Sequence, residues 1–228
     1  SILDGAVAVR DGRIEHVGAR GWVIDTLTQR GLAFTERHFD GVLLPGLVNA
    51  HTHLQYTGMA SVGAGQYRGF DSWARAFDEV YDAGGLDWGG DATEGARLLL
   101  SSGTTAADVV TDAAAASALH DAGLHGVAYW EVMGWSNEEW KARGEREVSA
   151  SLDAMPTPPG VGISPHAPYS LDAEPLLDLP DMARRRGMRI HIHLGESHSE
   201  AEWSETRTTT LADLWKSEHS SSFTAMRS

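Results

Sequence analysis

Extended runs alternate with helical stretches along most of this chain, and that alternation restricts its fold more than any other feature. Residues 43–53 (LLPGLVNAHTH) are extended, Gly103-Thr104-Thr105 leads into AADVV, His125–Val132 reads HGVAYWEV, 161–164 is short and apolar, and 188–194 reads MRIHIHL. Helical patterns fall between them, over 72–83, 92–102, 112–122, 136–154 and Ala173–Arg186. The fourth opens with Ser136 and Glu139 at capping-box spacing, and the last stops at Gly187, a residue suited to ending a helix. Strands that alternate with helices predict crossover units and a parallel sheet.

The first part of the chain reads differently. In AVAVRDGRIEHVG, over residues 6–18, apolar residues alternate on both sides of Asp11-Gly12, a two-residue turn suited to a hairpin. The expected organisation is a small β-domain over 1–42 and an α/β domain over 43–228. The α/β part is expected to be a (β/α)8 barrel of the TIM type, of which only about the first five βα units are present. A full barrel takes about 250 residues, and no sixth strand is legible in the mostly polar stretch after Leu194. An open five-stranded sheet is the alternative arrangement of the same elements.

Composition narrows the chemistry. The 18 Lys and Arg against 32 Asp and Glu leave a net charge of −14, which repels phosphate backbones and anionic lipid; neither nucleic acid nor membrane is an expected partner. No apolar run approaches the roughly 20 residues that span a bilayer. No basic segment followed by an apolar stretch opens the chain, so the cytoplasm is the default location. There is no cysteine, so any metal must be held by His, Asp or Glu.

His51 and His53 are separated by one residue, and in a strand such residues point to one face. Leu47 and Asn49 share that face, while Val48, Ala50 and Thr52 take the other and are expected to pack on helices. His191 and His193 repeat the spacing on the fifth run, with Ile190 and Ile192 facing outward. A single pair of this kind is a weak signal, explained as well by polar residues at a strand end. Two inward pairs at the C-terminal ends of parallel strands, where barrel active sites lie, predict a metal site. His51, His53 and His193 are the expected ligands; His191 lies two residues deeper and is expected behind them. Glu196 follows His193 by three residues and is placed for acid–base work. His166, in SPHAPYS, is held by Pro165 and Pro168 at the mouth, where it can donate to a substrate.

Together these segments resemble the amidohydrolase superfamily: LLPGLVNAHTHLQ its first-strand signature, SGTT its second-strand entry, SPHAPYS its fourth-strand loop, IHIHLGES its fifth strand, and DGRIEHVG the β-domain before the barrel. The closest resemblance is to the branch that deaminates adenine-type nucleosides. It implies a small-molecule substrate and one divalent metal ion, zinc or else iron(II), bound by His51, His53 and His193. In that branch Glu196 shuttles the proton while water attacks the amine-bearing ring carbon, and His166 contacts the substrate. Binuclear branches use a carboxylated lysine at the fourth strand, and here the only lysines are Lys141 and Lys216, which favours a single metal. A histidine after the sixth strand and a metal-binding aspartate after the eighth are expected by the family and lie beyond the last recognisable strand.

LQYTGMASVGAGQY, DSWARAFDEVY and AYWEVMGW resemble more narrowly the aminodeoxyfutalosine deaminases of menaquinone biosynthesis. The segment 54–90 is far longer than the usual two to six residues of such a loop. It offers Gln55, Tyr56, Tyr67, Phe70 and Trp73 against a flat heterocycle and Arg68 for a substrate carboxylate. The plainer reading is that Tyr67, Phe70 and Trp73 anchor the helix near Ser72 and that Arg68 is a solvated charge. The alternatives in function are another amidohydrolase, such as a methylthioadenosine/S-adenosylhomocysteine deaminase or a chlorohydrolase, or an inactive metal-binding fragment. The resemblance leaves room for a homodimer.

Overall fold

Asp11 and Gly12 adopt left-handed φ values of 51° and 72° in the computed structural model, which describes residues 1–206. Two left-handed residues in succession make a turn whose twist matches paired strands. It joins β1 (Gly5–Arg10) to β2 (Arg13–Ala19) in an antiparallel pair with Arg10 opposite Arg13. The chain then forms α1 (Arg20–Gln29), where only β-structure was expected. Val23 and Leu27, four apart, are its buried residues, so one short apolar face is enough to make a helix here. These elements belong to a compact unit, Ser1–Leu44, separate from the unit that begins at Pro45.

The second unit carries the predicted parallel sheet. Its strands are β3 (Leu47–Thr52), β4 (Thr104–Thr111), β5 (His125–Val132), β6 (Gly160–Pro165) and β7 (Arg189–Ile190), adjacent in chain order. Every neighbouring pair is parallel. The connections are helical: α2 (Ala60–Gly63), α3 (Phe70–Asp82) and α4 (Trp88–Ser101) after β3; α5 (Ala113–Asp121) after β4; α6 (Asn137–Glu139) and α7 (Glu145–Ala154) after β5; α8 (Ala173–Arg186) after β6; and α9 (His198–Thr206) after β7. The segment 54–90 is therefore not an extended loop: a 3₁₀ helix, Leu54–Met59, follows β3 directly.

Side chains explain where helices start and stop. The Asp112 carboxylate accepts from the N–H groups of Ala114 and Ala115 at 3.0 and 3.3 Å and so caps α5. Ser136 accepts from the Glu139 N–H at 3.2 Å, half of the expected capping box; its own hydroxyl donates to the Glu139 carboxylate at 3.1 Å. The predicted helix over 136–154 is interrupted by a π-helical stretch, Trp140–Gly144, where buried Trp140 donates its indole N–H to Asp178 at 2.8 Å. Gly187 ends α8 at φ 65°.

Alternation along the strands separates two faces. On the helix-covered face, Ala107 and Val109 pack with Ala92, Ala96, Ala115 and Leu119, and Val132 and Ile163 pack with Trp140, Val148, Leu179 and Met182. The other face receives Asp108, Tyr129, Glu131 and Ser164. At Gly162 a Cβ would lie 2.4 Å from the Tyr129 ring, so glycine is what lets that ring occupy this face. Two expectations fail at the sheet margins. Val48 is 73% exposed rather than packed on a helix, because β3 is an edge strand bonded only to β4. The fifth run, expected over 188–194, makes a ladder only at Arg189–Ile190. Beyond it the backbone still follows β6, through His191 N–H to Ile163 O at 3.1 Å and His193 N–H to His166 O at 2.9 Å. Pro165, lacking an N–H, interrupts the ladder between them.

Candidate active site

The sheet brings both histidine pairs to one place. His51 and His53 come from the end of β3, where the Asn49 side chain accepts the His51 N–H at 3.1 Å. His191 and His193 come from the other margin, just past β7. His193 Nε2 lies 3.3 Å from His51 Nε2 and 3.4 Å from His53 Nε2. Ligand atoms about 2.1 Å from a tetrahedral metal are separated by about 3.4 Å. The second nitrogens orient two of these rings. His193 Nδ1 donates to the His166 carbonyl at 3.0 Å, and His51 Nδ1 and His191 Nε2 share a hydrogen bond at 3.1 Å. The bond to the carbonyl leaves His193 Nε2 with its lone pair directed into the cluster, the arrangement common to metal-binding histidines. His53 is stacked on Tyr56, ring centroids 4.9 Å apart, and its Nδ1 is buried with no hydrogen-bond partner among the described residues.

Burial and the neighbouring rings favour the uncharged form of His51, His53 and His191. The His53 pKa falls to about 3, first because the ring is buried and then because His193, His51 and His191 crowd it. His51 and His191 are lowered for the same leading reason. Neutral rings are what a metal requires. Lone pairs facing one another at these distances repel, and a divalent cation among them removes that repulsion, so the residues present fit a metal. His191 sits behind His51 with its ring against Tyr129, centroids 5.0 Å apart, as the residue behind the cluster.

The carboxylates stand beside this cluster. The Tyr169 hydroxyl donates to Glu196 Oε1, and the Glu196 N–H donates to the buried Glu200 at 2.8 Å. Burial, with the Glu196 hydrogen bond added, raises the Tyr169 pKa and keeps the phenol a donor. Glu131, His166 and His193 form a second group whose ligand atoms all lie within 4.8 Å of one another. Burial and then the charge of Glu196 push the Glu131 pKa up to about 8. One nitrogen lone pair of His193 cannot serve two ions, so the triad His51, His53 and His193 is the candidate metal centre, with Glu131 and His166 lining its side. His166 Nδ1 bonds Ser170 Oγ at 2.9 Å, and Ser170 Oγ in turn donates to Ala167 O at 3.0 Å.

The residues expected to touch substrate are spread more widely. Gln55 is buried in the 3₁₀ helix, and its amide donates to the Val110 carbonyl at 3.4 Å. Trp73 is 38% exposed on α3, within 5.4 and 5.5 Å of the Phe70 and Phe77 rings. The Tyr67 hydroxyl donates to Val62 O at 2.8 Å. Tyr67 thus bonds back to α2, while Phe70, Trp73 and Phe77 pack on one another within α3. Arg68 is exposed, and its recorded contact is its N–H with Ser72 Oγ at 3.0 Å; no contact joins it to the histidines. Glu131 and Tyr169 were not foreseen as site residues. Glu131 was visible in principle, as a carboxylate alternating onto the inward face of an otherwise apolar strand. Tyr169 was visible only as a member of the SPHAPYS loop.

A partial parallel β/α structure thus gathers three imidazoles and flanking carboxyl groups at its strand ends. Residues 42–212 match the Amidohydrolase family, and the chain belongs to that family. It is 28% identical to a 5-methylthioadenosine/S-adenosylhomocysteine deaminase of Moorella thermoacetica, over 87% of this chain and 46% of the relative. It is 27% identical to a 5'-deoxyadenosine deaminase of Methanosarcina barkeri, with the same two coverages of 87% and 46%. The chain thus spans about half the length of the curated relatives it matches. In fold it is similar to the aminofutalosine deaminase of Helicobacter pylori, with a TM-score of 0.75 and 23% identity over 94% of this chain and 52% of the other. It is likewise similar to a zinc-bound adenosine deaminase of Xanthomonas campestris, with a TM-score of 0.68 and 22% identity over 94% of this chain and 50% of the other. Those solved structures establish the barrel type of the five-stranded sheet. Among the described residues no helix is long and apolar enough to cross a membrane.

Proposed function

We propose that this chain carries the metal-binding half of a hydrolytic deaminase for adenine-type nucleosides. The observation that carries the reading is the convergence of His51, His53 and His193 on Nε2 separations of 3.3 and 3.4 Å. Zinc suits that nitrogen set; His51, His53 and His193 would hold it, and it would supply activation of water as the nucleophile. His191 and the His166 carbonyl hold the ligand rings in the required tautomer. Glu196, whose Oε1 accepts from Tyr169, is assigned the proton transfers to the purine ring nitrogen and to departing ammonia. His166 is a hydrogen-bonding group for the same substrate.

The substituent on the nucleoside defines two narrower readings. The names of the relatives favour a methylthioadenosine or deoxyadenosine type of substrate. The motifs around Tyr56 and Trp73 favour aminodeoxyfutalosine, and with it a place in menaquinone biosynthesis. The general reading is tested by metal content and by ammonia release from adenosine, methylthioadenosine and aminodeoxyfutalosine, measured on this chain and on the protein extended to the length of its relatives. About one zinc per chain and release of ammonia from at least one nucleoside by the extended protein are expected. Metal binding without release from any of them removes the deaminase reading.

A further inference from the structure

Glu131 is a carboxylate with no role in what has been described so far. Its neighbours Trp130 and Val132 join the hydrophobic cluster on the helix-covered face of the sheet. Alternation therefore sends Glu131 to the same face as Tyr129, whose ring lies against His191. A carboxylate oxygen of Glu131 lies within 4.8 Å of a ring nitrogen of both His166 and His193. Its Oε1 is closed off from solvent and has no hydrogen-bond partner among the described residues. Among the described residues no arginine or lysine makes an ion pair with it, and His193 has no second lone pair with which to share an ion with it. Leaving a buried acceptor unpaired costs stability, and an apolar side chain of similar size would avoid that cost. A carboxyl kept in such a place points to a partner outside the described residues.

We propose that Glu131 is a substrate-recognition residue whose carboxyl accepts a hydrogen bond from a sugar hydroxyl of the bound nucleoside. The inference rests on the deaminase reading and adds a residue to its binding site. The donors of an adenine nucleoside are its exocyclic amine and its sugar hydroxyls. The amine is the group that leaves from the side of Glu196, so a hydroxyl is the donor assigned to Glu131.

The test is a cycle of binding measurements on the zinc-loaded protein extended to the length of its relatives, using purine ribonucleoside, which has no amine, and its 2′-, 3′- and 5′-deoxy forms. In the unmodified protein, removal of one particular hydroxyl is expected to weaken binding by about tenfold or more. In Glu131→Leu the same removal is expected to change binding by less than about twofold, because the partner is already gone. The variant is also expected to melt at or above the temperature of the unmodified protein, since the unpaired oxygen has been removed. If Glu131→Leu does not fold, Glu131→Gln carries the same cycle, with a reduced but non-zero dependence on that hydroxyl. Equal losses on hydroxyl removal in protein and variant overturn the proposal, as does a lower melting temperature with unchanged binding, which makes Glu131 structural. Failure of the unmodified, zinc-loaded extended protein to bind any of the four nucleosides sinks the deaminase reading itself, and this inference with it.

Discussion

His193 Nε2 lies 3.3 Å from His51 Nε2 across 142 residues of sequence, although the two rings come from opposite margins of a five-stranded sheet. Strands β3 and β7 share no hydrogen bonds, so curvature of the sheet is what brings their ends together. A flat sheet with strands about 4.8 Å apart would hold its first and fifth strands roughly 19 Å from each other. The contact between these two residues is therefore direct evidence of barrel-like closure, and it makes the metal site a reporter of that closure.

The ligand and the residue behind it should separate cleanly on metal affinity. His193→Ala removes a nitrogen of the cluster, and zinc affinity should fall by more than the ten- to hundredfold typical of losing a second-layer partner. His191→Phe removes only the hydrogen-bond partner of His51 Nδ1 and should stay within about ten- to hundredfold. Equilibrium dialysis with zinc checks both, and equal losses would show that His191 is itself a ligand.

Glu196 and Tyr169 should affect turnover to different degrees while leaving the metal in place. In the protein extended to the length of its relatives, Glu196→Gln is expected to lower kcat by about a hundred- to ten-thousandfold with zinc content unchanged. Tyr169→Phe removes one hydrogen bond to the carboxylate and should cost only about tenfold. Steady-state ammonia release and metal analysis on the same samples read both effects. A normal rate for Glu196→Gln takes the residue out of the mechanism.

Arg68 discriminates between the narrower substrate readings. If its guanidinium meets a substrate carboxylate, Arg68→Ala in the extended protein should lower kcat/KM for aminodeoxyfutalosine by about tenfold or more and leave methylthioadenosine within about twofold. Higher kcat/KM for methylthioadenosine in the unmodified protein, with no effect of Arg68→Ala on either substrate, makes Arg68 the solvated surface charge its exposure suggests.

The cap of α5 supplies a stability prediction independent of the site. Asp112 accepts the N–H groups of Ala114 and Ala115, and without it those donors at the start of an alanine-rich helix are left to solvent. Asp112→Ala should destabilise the protein by about 1 kcal/mol, with a correspondingly lower thermal midpoint and no change in zinc affinity. An unchanged midpoint would mean that packing of Leu119 and its neighbours alone holds the helix.

Local periodicity determined a large share of this structure without any tertiary information. The order of strands and helices, the parallel sheet, the Asp11-Gly12 turn and the end of α8 at Gly187 all follow from spacing over a few residues, because backbone geometry imposes periods of 2 and 3.6 on side chains. The same period placed His51 with His53 and His191 with His193 on single faces. Tertiary structure alone decided the rest. α1 formed where two apolar residues four apart could bury themselves. The run after Ile190 left the ladder because Pro165 opposite it has no N–H to offer. Which histidine nitrogens meet, that Tyr169 reaches Glu196 across 27 residues, and that Glu131 has a buried oxygen with no partner are consequences of distances between strand ends. Those distances depend on how far the sheet curls, a property of the packed whole that no local stretch of sequence encodes.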